Sequence, residues 1–401
     1  MASSEAGSAQ AKNIVVLCDG TANQVNILSQ TNVLRLARLL QKSGATRQVV
    51  YYNPGLGTEG APGALTPVGR WVTKVLGLAF GYGLKKNLFD AYAFLMKHYE
   101  PGDRIYIFGF SRGAYTARAL TGLLQRVGLL ERGCENLIPY AVRYFQVRDD
   151  HQLNFFKQRF SRTYHLAWRD LVPGIDQIPA LKEKAGRPSR GVIPVHFLGV
   201  WDTVKSIGTL RRQIILPDTD WLPNMINGRH AVALDEKRSQ YRPELWGSDT
   251  DDGHAERLKQ KRFQTCLHAD VETMWFAGVH SDVGGGYGLS VKRERELFLE
   301  RTSSSKPSAK ELAERQAEVG LAYISLGWMM DAAAKHGLCF DQNVLVEEPL
   351  TPDVKAKVHN PLLPAWWLLG WWRRALPPGA RIHPSVQDRK QAVQGYQPGA
   401  R

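Results

Sequence analysis

Ser111 has the local sequence that a nucleophilic serine requires. It lies in a G-F-S-R-G pentapeptide at residues 109–113, between an apolar run at residues 105–108 and a stretch with helical apolar spacing. This pattern predicts a strand, a tight turn and a helix, with the serine in a strained backbone conformation. Gly109 and Gly113 suit that turn because larger side chains there would collide with the crossing backbone. The helix start would direct N–H groups at a developing oxyanion, which indicates acyl transfer.

Two further strand ends carry the partners that such a serine needs. A histidine must remove the hydroxyl proton, and a carboxylate must fix the tautomer of that histidine. An apolar run at residues 194–201 ends at Asp202, and another at residues 273–279 ends at His280. We therefore predict that Ser111, Asp202 and His280 form a catalytic triad, in the chain order of α/β-hydrolases.

An oxyanion hole requires two backbone N–H groups. One comes from the residue after the nucleophile, here Arg112, and the other from the loop after an early strand. Residues 14–18 predict such a strand, and Asp19, Gly20 and Thr21 follow it. Gly20 and Thr21 are therefore the predicted second donors.

Other residues compete for these roles. His383 and His230 are alternative bases, although the pairing of His230 with nearby acidic residues favours a structural ion network. Asp282 is an alternative orienting acid, or it braces the glycine-rich loop that follows. Asp19 and Asp202 also fit the simpler hypothesis of turn residues at strand ends.

Two different classes of function stay open beside the serine mechanism. Asp19, Asp282 and His280 have the ligand chemistry for a divalent cation, so a metal-assisted phosphoester hydrolase is one alternative. No ligand motif fixes their spacing, and the serine mechanism itself needs neither a metal nor a cofactor. The other alternative is a non-catalytic membrane-binding module on a hydrolase scaffold.

Strands that alternate with helices predict a mostly parallel central sheet covered by helices on both sides. The chain has 401 residues, and we expect a disordered tail at residues 1–12 and a single domain over residues 13–401. Two less regular stretches, at about residues 129–190 and 210–262, are interpreted as insertions, the first as a cap over the site. Chemistry in such a fold gathers at the carboxyl ends of the strands.

The net charge of +14 favours an anionic partner, such as an acidic membrane surface. No nucleic-acid motif accompanies the charge, so we expect no nucleic-acid partner.

A tryptophan-rich segment at residues 366–372, followed by Arg373 and Arg374, has the composition of an interfacial anchor. Core packing is the favoured interpretation of that segment. No apolar leader begins the sequence, so a cytoplasmic location is expected, with non-classical secretion as an alternative; the oligomeric state is not indicated.

Five sequence blocks together resemble one known family. They are VVLCDGTAN, GFSRGAYTAR, GVWDTVKSIG, WFAGVHSDVGGGYG and RIHPSV. The chain resembles, from about residue 13 to residue 390, the α/β-hydrolase family that includes the type VI secretion phospholipase effectors and many uncharacterised bacterial and fungal proteins. The resemblance implies an α/β-hydrolase fold and the hydrolysis of acyl esters, often phospholipids, with Ser111, Asp202 and His280 as the triad.

Overall fold

The computed structural model describes most of the chain, with several gaps. The described residues are 11–20, 30–42, 47–55, 78–146, 149–204, 208–209, 212–213, 219–246, 266–289, 293, 296, 308–360, 370 and 372–400. Nearly all of the predicted tail and most of the tryptophan-rich segment lie outside these ranges.

A six-stranded sheet forms the centre of the molecule. The described strands, in chain order, are β1 (Asn13–Cys18), β2 (Gln48–Asn53), β3 (Arg104–Phe110), β4 (Val195–Trp201), β5 (Gly208–Thr209), β6 (Arg212–Gln213), β7 (Met225–Ala233) and β8 (Asp270–Phe276). β5 and β6 form a separate two-stranded antiparallel pair, and the other six strands form the central sheet. The spatial order is β2-β1-β3-β4-β7-β8, and every neighbouring pair in it is parallel. The predicted parallel sheet is confirmed.

Helices cover both faces of this sheet. They are α1 (Asn32–Leu39), α2 (Leu78–His98), α3 (Arg112–Arg126), α4 (Ile138–Gln146), α5 (Asp150–Phe160), α6 (Trp168–Leu171), α7 (His280–Gly284), α8 (Ala309–Lys335), α9 (Gln342–Glu347) and α10 (Pro384–Ala392). None of the helices within the described ranges is both long enough and apolar enough to cross a bilayer.

The alternation of side chains along β1 divides the core into two layers. Ile14 and Val16 pack with α2 and α3 on one face, whereas Val15 and Leu17 pack with α1 and α8 on the other. A strand that is buried on both faces has an unbroken apolar sequence, which explains the run in β1. Both faces of the sheet are therefore covered, so a site can form only where the strands begin or end.

The described residues of the stretch 129–190 fold mainly as short helices and contribute no strand to the central sheet. Trp168 and Leu171 of α6 join a small cluster with Ile226, which lies near the start of β7, and with Leu267, which precedes β8. Because these positions mark the amino ends of the strands, this part of the predicted cap lies at the opposite edge of the sheet from residue 111.

The second predicted insertion contains a core strand that the sequence analysis missed. β7 is buried along its whole length and pairs with both β4 and β8. Polar residues interrupt its apolar pattern, but each has a partner: Asn227 donates to the His196 carbonyl (2.9 Å) and Arg229 pairs with Asp270 (2.7 Å). Tertiary partners, which the local sequence does not reveal, therefore allow this strand to be buried. Residues 247–262 of the insertion lie outside the described residues.

Candidate active site

Ser111 occupies the turn between β3 and α3 in a strained conformation. Its φ of 58° and ψ of −121° lie where L-residues are rarely found. The turn is tied to the end of the neighbouring strand β4, since the Ser111 N–H donates to the Trp201 carbonyl at 3.0 Å. The side chain of Ser111 thus projects from the carboxyl edge of the sheet, and the residue is 7% exposed.

The two glycines beside Ser111 let two backbone segments cross. A Cβ at Gly113 would lie 2.1 Å from the Cys18 carbonyl oxygen, and a Cβ at Gly109 would lie 2.5 Å from the Gly113 carbonyl oxygen. Real Cβ atoms do not approach backbone atoms so closely. The start of α3 therefore packs directly on the end of β1, as the sequence pattern predicts.

Gly113→Ala is expected to destabilise the protein by about 3 kcal/mol or more, because the added methyl group meets backbone that cannot rotate away. The free energy of unfolding in urea measures the effect. The matched control is Gly327→Ala in α8, where an added Cβ meets nothing within 4 Å. That control is expected to stabilise the helix by about 0.5–1 kcal/mol. Equal stability of the two variants would contradict the proposed close crossing.

The structure brings Ser111, His280 and Asp202 into one hydrogen-bonded chain. The Nε2 atom of His280 lies 2.8 Å from the Ser111 Oγ, and its Nδ1 lies 2.6 Å from the Asp202 Oδ2. The three residues follow β3, β8 and β4, and all three are buried. Asp202, like Ser111, has a positive φ, of 38°. The three strand ends therefore converge at one point of the carboxyl edge.

The His280 ring is held between two aromatic rings. Phe110 stacks on it with centroids 4.6 Å apart, and Tyr241 meets it edge-on at 4.7 Å. The Glu236 carboxylate accepts the His280 backbone N–H at 3.1 Å and is itself paired with Arg238 at 2.7 Å. These contacts leave the imidazole little freedom to turn away from Ser111.

Arg374 is a site residue that the sequence analysis missed. Its guanidinium grips both oxygens of Asp202, with Nη1–Oδ1 and Nη2–Oδ2 distances of 2.5 and 2.8 Å. Arg374 is only 2% exposed, so this residue is buried in the protein and is not part of an interfacial anchor. Trp366 and Trp367 of the same segment lie outside the described residues. No local signal distinguishes Arg374 from the exposed Arg373 beside it.

Two pKa shifts follow from this arrangement. Burial alone would raise the pKa of Asp202, but the charge of Arg374 and the hydrogen bond from His280 outweigh it and hold that pKa well below its ordinary value. Burial lowers the pKa of His280, and the hydrogen bond and charge of Asp202 only partly oppose that shift. At neutral pH the site therefore contains an ionised Asp202 and a neutral His280.

The alternative histidines have other partners. His383 caps the start of α10, where its Nδ1 accepts the Ser385 N–H and its ring stacks on Phe276 at 4.6 Å. His230 lies in β7 with Nδ1 3.3 Å from the Arg118 guanidinium, not in the predicted network with Asp235 and Glu236. Burial and the charge of Arg118 lower the pKa of His230 far below its ordinary value, so it is a neutral structural residue.

The three residues of the metal hypothesis do not share a common point. Asp282 contacts the Nδ1 of His359 at 2.6 Å, and Asp19 accepts from Thr31 at 2.6 Å and from Tyr52 at 2.7 Å. Within the described ranges, no three His, Cys, Asp or Glu side chains are arranged to hold a metal ion. Asp282 and Asp19 therefore brace the loops that follow β8 and β1.

The predicted oxyanion donors have different environments. The Gly20 N–H donates to the Asp19 Oδ1 at 2.6 Å, so it is already engaged by the turn that it belongs to. Thr21 lies outside the described residues. Arg112 is the first residue of α3, where N–H groups have no acceptor within the helix. Burial lowers the pKa of the Arg112 guanidinium to about 10.

A cavity of about 190 Å³ lies between α1, α8 and the loop after α7. Arg35, Arg38 and Arg315 line it together with Tyr287 and Tyr323. Two of these arginines are paired, Arg38 with Glu348 and Arg315 with Glu311. Ser111, Asp202 and His280 are not among the described lining residues, so this cavity does not contain the triad.

The enclosed parallel sheet and the strained serine turn after β3 define an α/β-hydrolase fold. Residues 12–332 match the model of the type VI secretion system phospholipase effector Tle1-like catalytic domain. The chain belongs to this family. Arg374 and the rest of the C-terminal segment lie beyond the matched residues.

Individual relatives share only part of their length with this chain. An uncharacterised protein of Saccharomyces cerevisiae is 34% identical over 251 residues, which cover 59% of this chain and 33% of the yeast protein. A crystal structure of an uncharacterised protein from Pseudomonas aeruginosa is 18% identical, with a TM-score of 0.42, over 96% of this chain and 51% of the other. A Tle1 effector bound to the VgrG spike of the type VI secretion system is 15% identical, with a TM-score of 0.37, over 89% and 78% of the two chains. The chain thus spans about a third of the yeast relative and half of the Pseudomonas protein.

Proposed function

We propose that this protein is a serine hydrolase that cleaves carboxylic esters of amphiphilic lipids, with phospholipids as the first candidate substrates. The observation that carries the proposal is the hydrogen-bonded chain Ser111–His280–Asp202 at the carboxyl edge of the sheet. Membership of a phospholipase effector family supports the lipid ester as the substrate class. The family describes its domain as catalytic, which favours an enzyme over a non-catalytic membrane-binding module.

The chemistry begins with a neutral His280. As the Ser111 Oγ attacks the acyl carbonyl carbon, His280 Nε2 takes the hydroxyl proton, and ionised Asp202 stabilises the imidazolium. The carbonyl oxygen becomes an oxyanion that the Arg112 N–H and a second N–H from the loop after β1 hold. The candidates for that second donor are the two that the sequence predicts, Gly20 and Thr21.

Collapse of the tetrahedral intermediate breaks the ester C–O bond. His280 returns its proton to the leaving alcohol, and the acyl group stays on Ser111. Water then attacks the acyl-enzyme with His280 as base, which releases the fatty acid and restores the serine. The sequence consumes one water per ester and needs no redox partner or cofactor.

The charge of the chain supports a membrane surface as the place of action. A net charge of +14 attracts the protein to anionic headgroups and raises the local concentration of lipid esters. The VgrG complex is a property of the Tle1 effector that was solved with it. For this chain the proposal is limited to the lipid ester and the anionic surface.

Hydrolysis of phospholipid vesicles tests the proposal. Vesicles of phosphatidylglycerol and phosphatidylcholine are expected to release free fatty acid, with activity unaffected by a chelator. A fluorophosphonate probe is expected to label Ser111, as read by mass spectrometry of the peptide that contains it. Chelator-sensitive release of a phosphorylated headgroup would instead favour the metal-assisted hypothesis, and absence of both products and of labelling would overturn the proposal.

The pH dependence of kcat/KM is expected to place its acidic limb below pH 6.5. Only neutral His280 accepts the proton of Ser111, and burial lowers the pKa of this histidine from 6.5. As the pH falls, protonation therefore removes the base later than it would for an exposed histidine. A pH profile with a short-chain ester measures this limb, and an acidic limb at or above pH 7 would contradict the assignment of a buried, neutral base.

A further inference from the structure

Arg374 and Asp202 form a buried, bidentate ion pair. The guanidinium presents two N–H groups to the two carboxylate oxygens, at 2.5 and 2.8 Å. The remaining contacts of Arg374 are equally well placed: its Nη1 donates to the Ala233 carbonyl and its Nη2 to the Tyr241 carbonyl, both at 2.7 Å. The orientation of the guanidinium is thus fixed by the end of β7 and by the loop that carries Tyr241.

The Asp202 Oδ2 atom is shared between two donors. It faces the Nδ1 of His280 at 2.6 Å and the Nη2 of Arg374 at 2.8 Å. The other oxygen, Oδ1, accepts from Arg374 and from the Ala233 N–H at 2.9 Å. The carboxylate therefore cannot rotate without breaking contacts with Arg374, and its position relative to the His280 ring depends on that guanidinium.

The charges around His280 and Asp202 balance in pairs. Within the part of the chain that the structure describes, the titratable, charged or hydroxyl groups that face these two residues are Ser111, His230, Glu236, Arg238, Tyr241 and Arg374. Glu236 is paired with Arg238, and His230 is neutral. The negative charge of Asp202 is therefore balanced by Arg374 as long as His280 is neutral.

We propose that Arg374 is a positioning residue for the reaction, which fixes the Asp202 carboxylate against His280 and offsets its negative charge. This inference rests on the proposed function. Arg374 touches neither the Ser111 Oγ nor the His280 ring in the described contacts, so it acts through Asp202. Without the guanidinium, the negative charge of Asp202 is no longer balanced, so it favours the protonated, cationic form of His280 beside it. The pKa of His280 therefore rises.

Two substitutions separate charge from geometry. Arg374→Gln removes the cation and leaves a shorter, neutral amide donor, so the acidic limb of kcat/KM is expected to move up by roughly 1–3 pH units. Arg374→Lys keeps the charge but replaces the two-pronged grip by a single ammonium group, so kcat is expected to fall while the acidic limb stays near that of the wild type. Arg373→Gln, at the exposed neighbouring position, is the matched control and is expected to change neither.

A titration that does not depend on activity closes the test. In the full-length Ser111→Ala protein, the C2 proton of His280 followed by NMR reports the pKa of the imidazole directly. Adding Arg374→Gln is expected to raise that pKa, whereas adding Arg374→Lys is expected to leave it near its starting value and to shift the downfield Nδ1 proton that reports the contact with Asp202. An unmoved pKa in a folded Arg374→Gln variant would overturn the inference.

The same data separate this inference from the proposed function. If the wild-type protein hydrolyses no ester but the titration moves as expected, the electrostatic role of Arg374 stands and the function is wrong. If esters are hydrolysed but the titration is unmoved, the function stands and Arg374 is only structural. Should Arg374→Gln not fold, Arg374→Lys decides the matter, because an unchanged downfield proton with unchanged kcat would exclude positioning.

Discussion

Replacing Ser111 by alanine is expected to lower kcat for ester hydrolysis by about 10⁶-fold. The substitution removes the attacking oxygen, and only the oxyanion donors and substrate binding then remain to accelerate the reaction. The fold should survive, because alanine is smaller than serine and the Ser111 backbone bonds do not involve the side chain. Fatty-acid release from vesicles and fluorophosphonate labelling measure the loss, with thermal unfolding as the check on folding.

Two control variants show whether the loss is specific. Ser281→Ala removes a hydroxyl next to His280 and is expected to keep activity within a few-fold of the wild type. His383→Ala tests the alternative base and is expected to do the same, since that histidine contacts Ser385 and Phe276. Activity that survives in Ser111→Ala but disappears in His383→Ala would refute the proposed nucleophile and base together.

Asp202→Asn is expected to lower kcat by about 10⁴-fold. In the proposed mechanism, the carboxylate fixes the His280 tautomer that carries its proton on Nδ1, at a contact of 2.6 Å, and it stabilises the imidazolium in the transition state. An amide has one oxygen and one NH₂ group, and Arg374 competes with His280 for that oxygen. If the NH₂ group faces His280, the wrong tautomer is stabilised. Steady-state kinetics with a short-chain ester at the pH optimum measure the effect.

The same substitution also tests the buried ion pair. Removing one member of such a pair leaves a buried charge without its partner, which costs about 3–5 kcal/mol. We therefore expect Asp202→Asn to lower the melting temperature, and the double variant Asp202→Asn, Arg374→Gln to recover part of the stability without recovering activity. Loss of activity that returned with stability would contradict a catalytic role for Asp202.

The sequence predicted the framework of the site because the ends of buried strands can be located from their apolar runs. The apolar runs before Ser111, Asp202 and His280 are buried strands, and parallel strands bring their carboxyl ends to one edge. The structure joins these three side chains by hydrogen bonds. Their catalytic roles stay a prediction that the experiments above address.

Contacts between segments that are distant in the chain could not be predicted from the sequence. β7 contains Asn227, Arg229 and His230, and the partners that allow its burial come from elsewhere in the chain. The role of Arg374 likewise depends on a distant partner, because its pairing with Asp202 joins positions 172 residues apart. The engagement of the Gly20 N–H by Asp19 depends on a side-chain rotamer, which residue types alone do not specify.

The order in which a ribosome makes the chain gives the ion pair a further consequence. Ser111, Asp202 and His280 all emerge before Arg374, so a nascent or prematurely ended polypeptide can hold the reactive groups without the cation that steadies the acid. Docking of the final segment, where Tyr396 and Gly399 also bind Asp235, completes the arrangement. In the proposed mechanism, Asp202 is therefore positioned only after the segment that carries Arg374 has been made and has packed against β7.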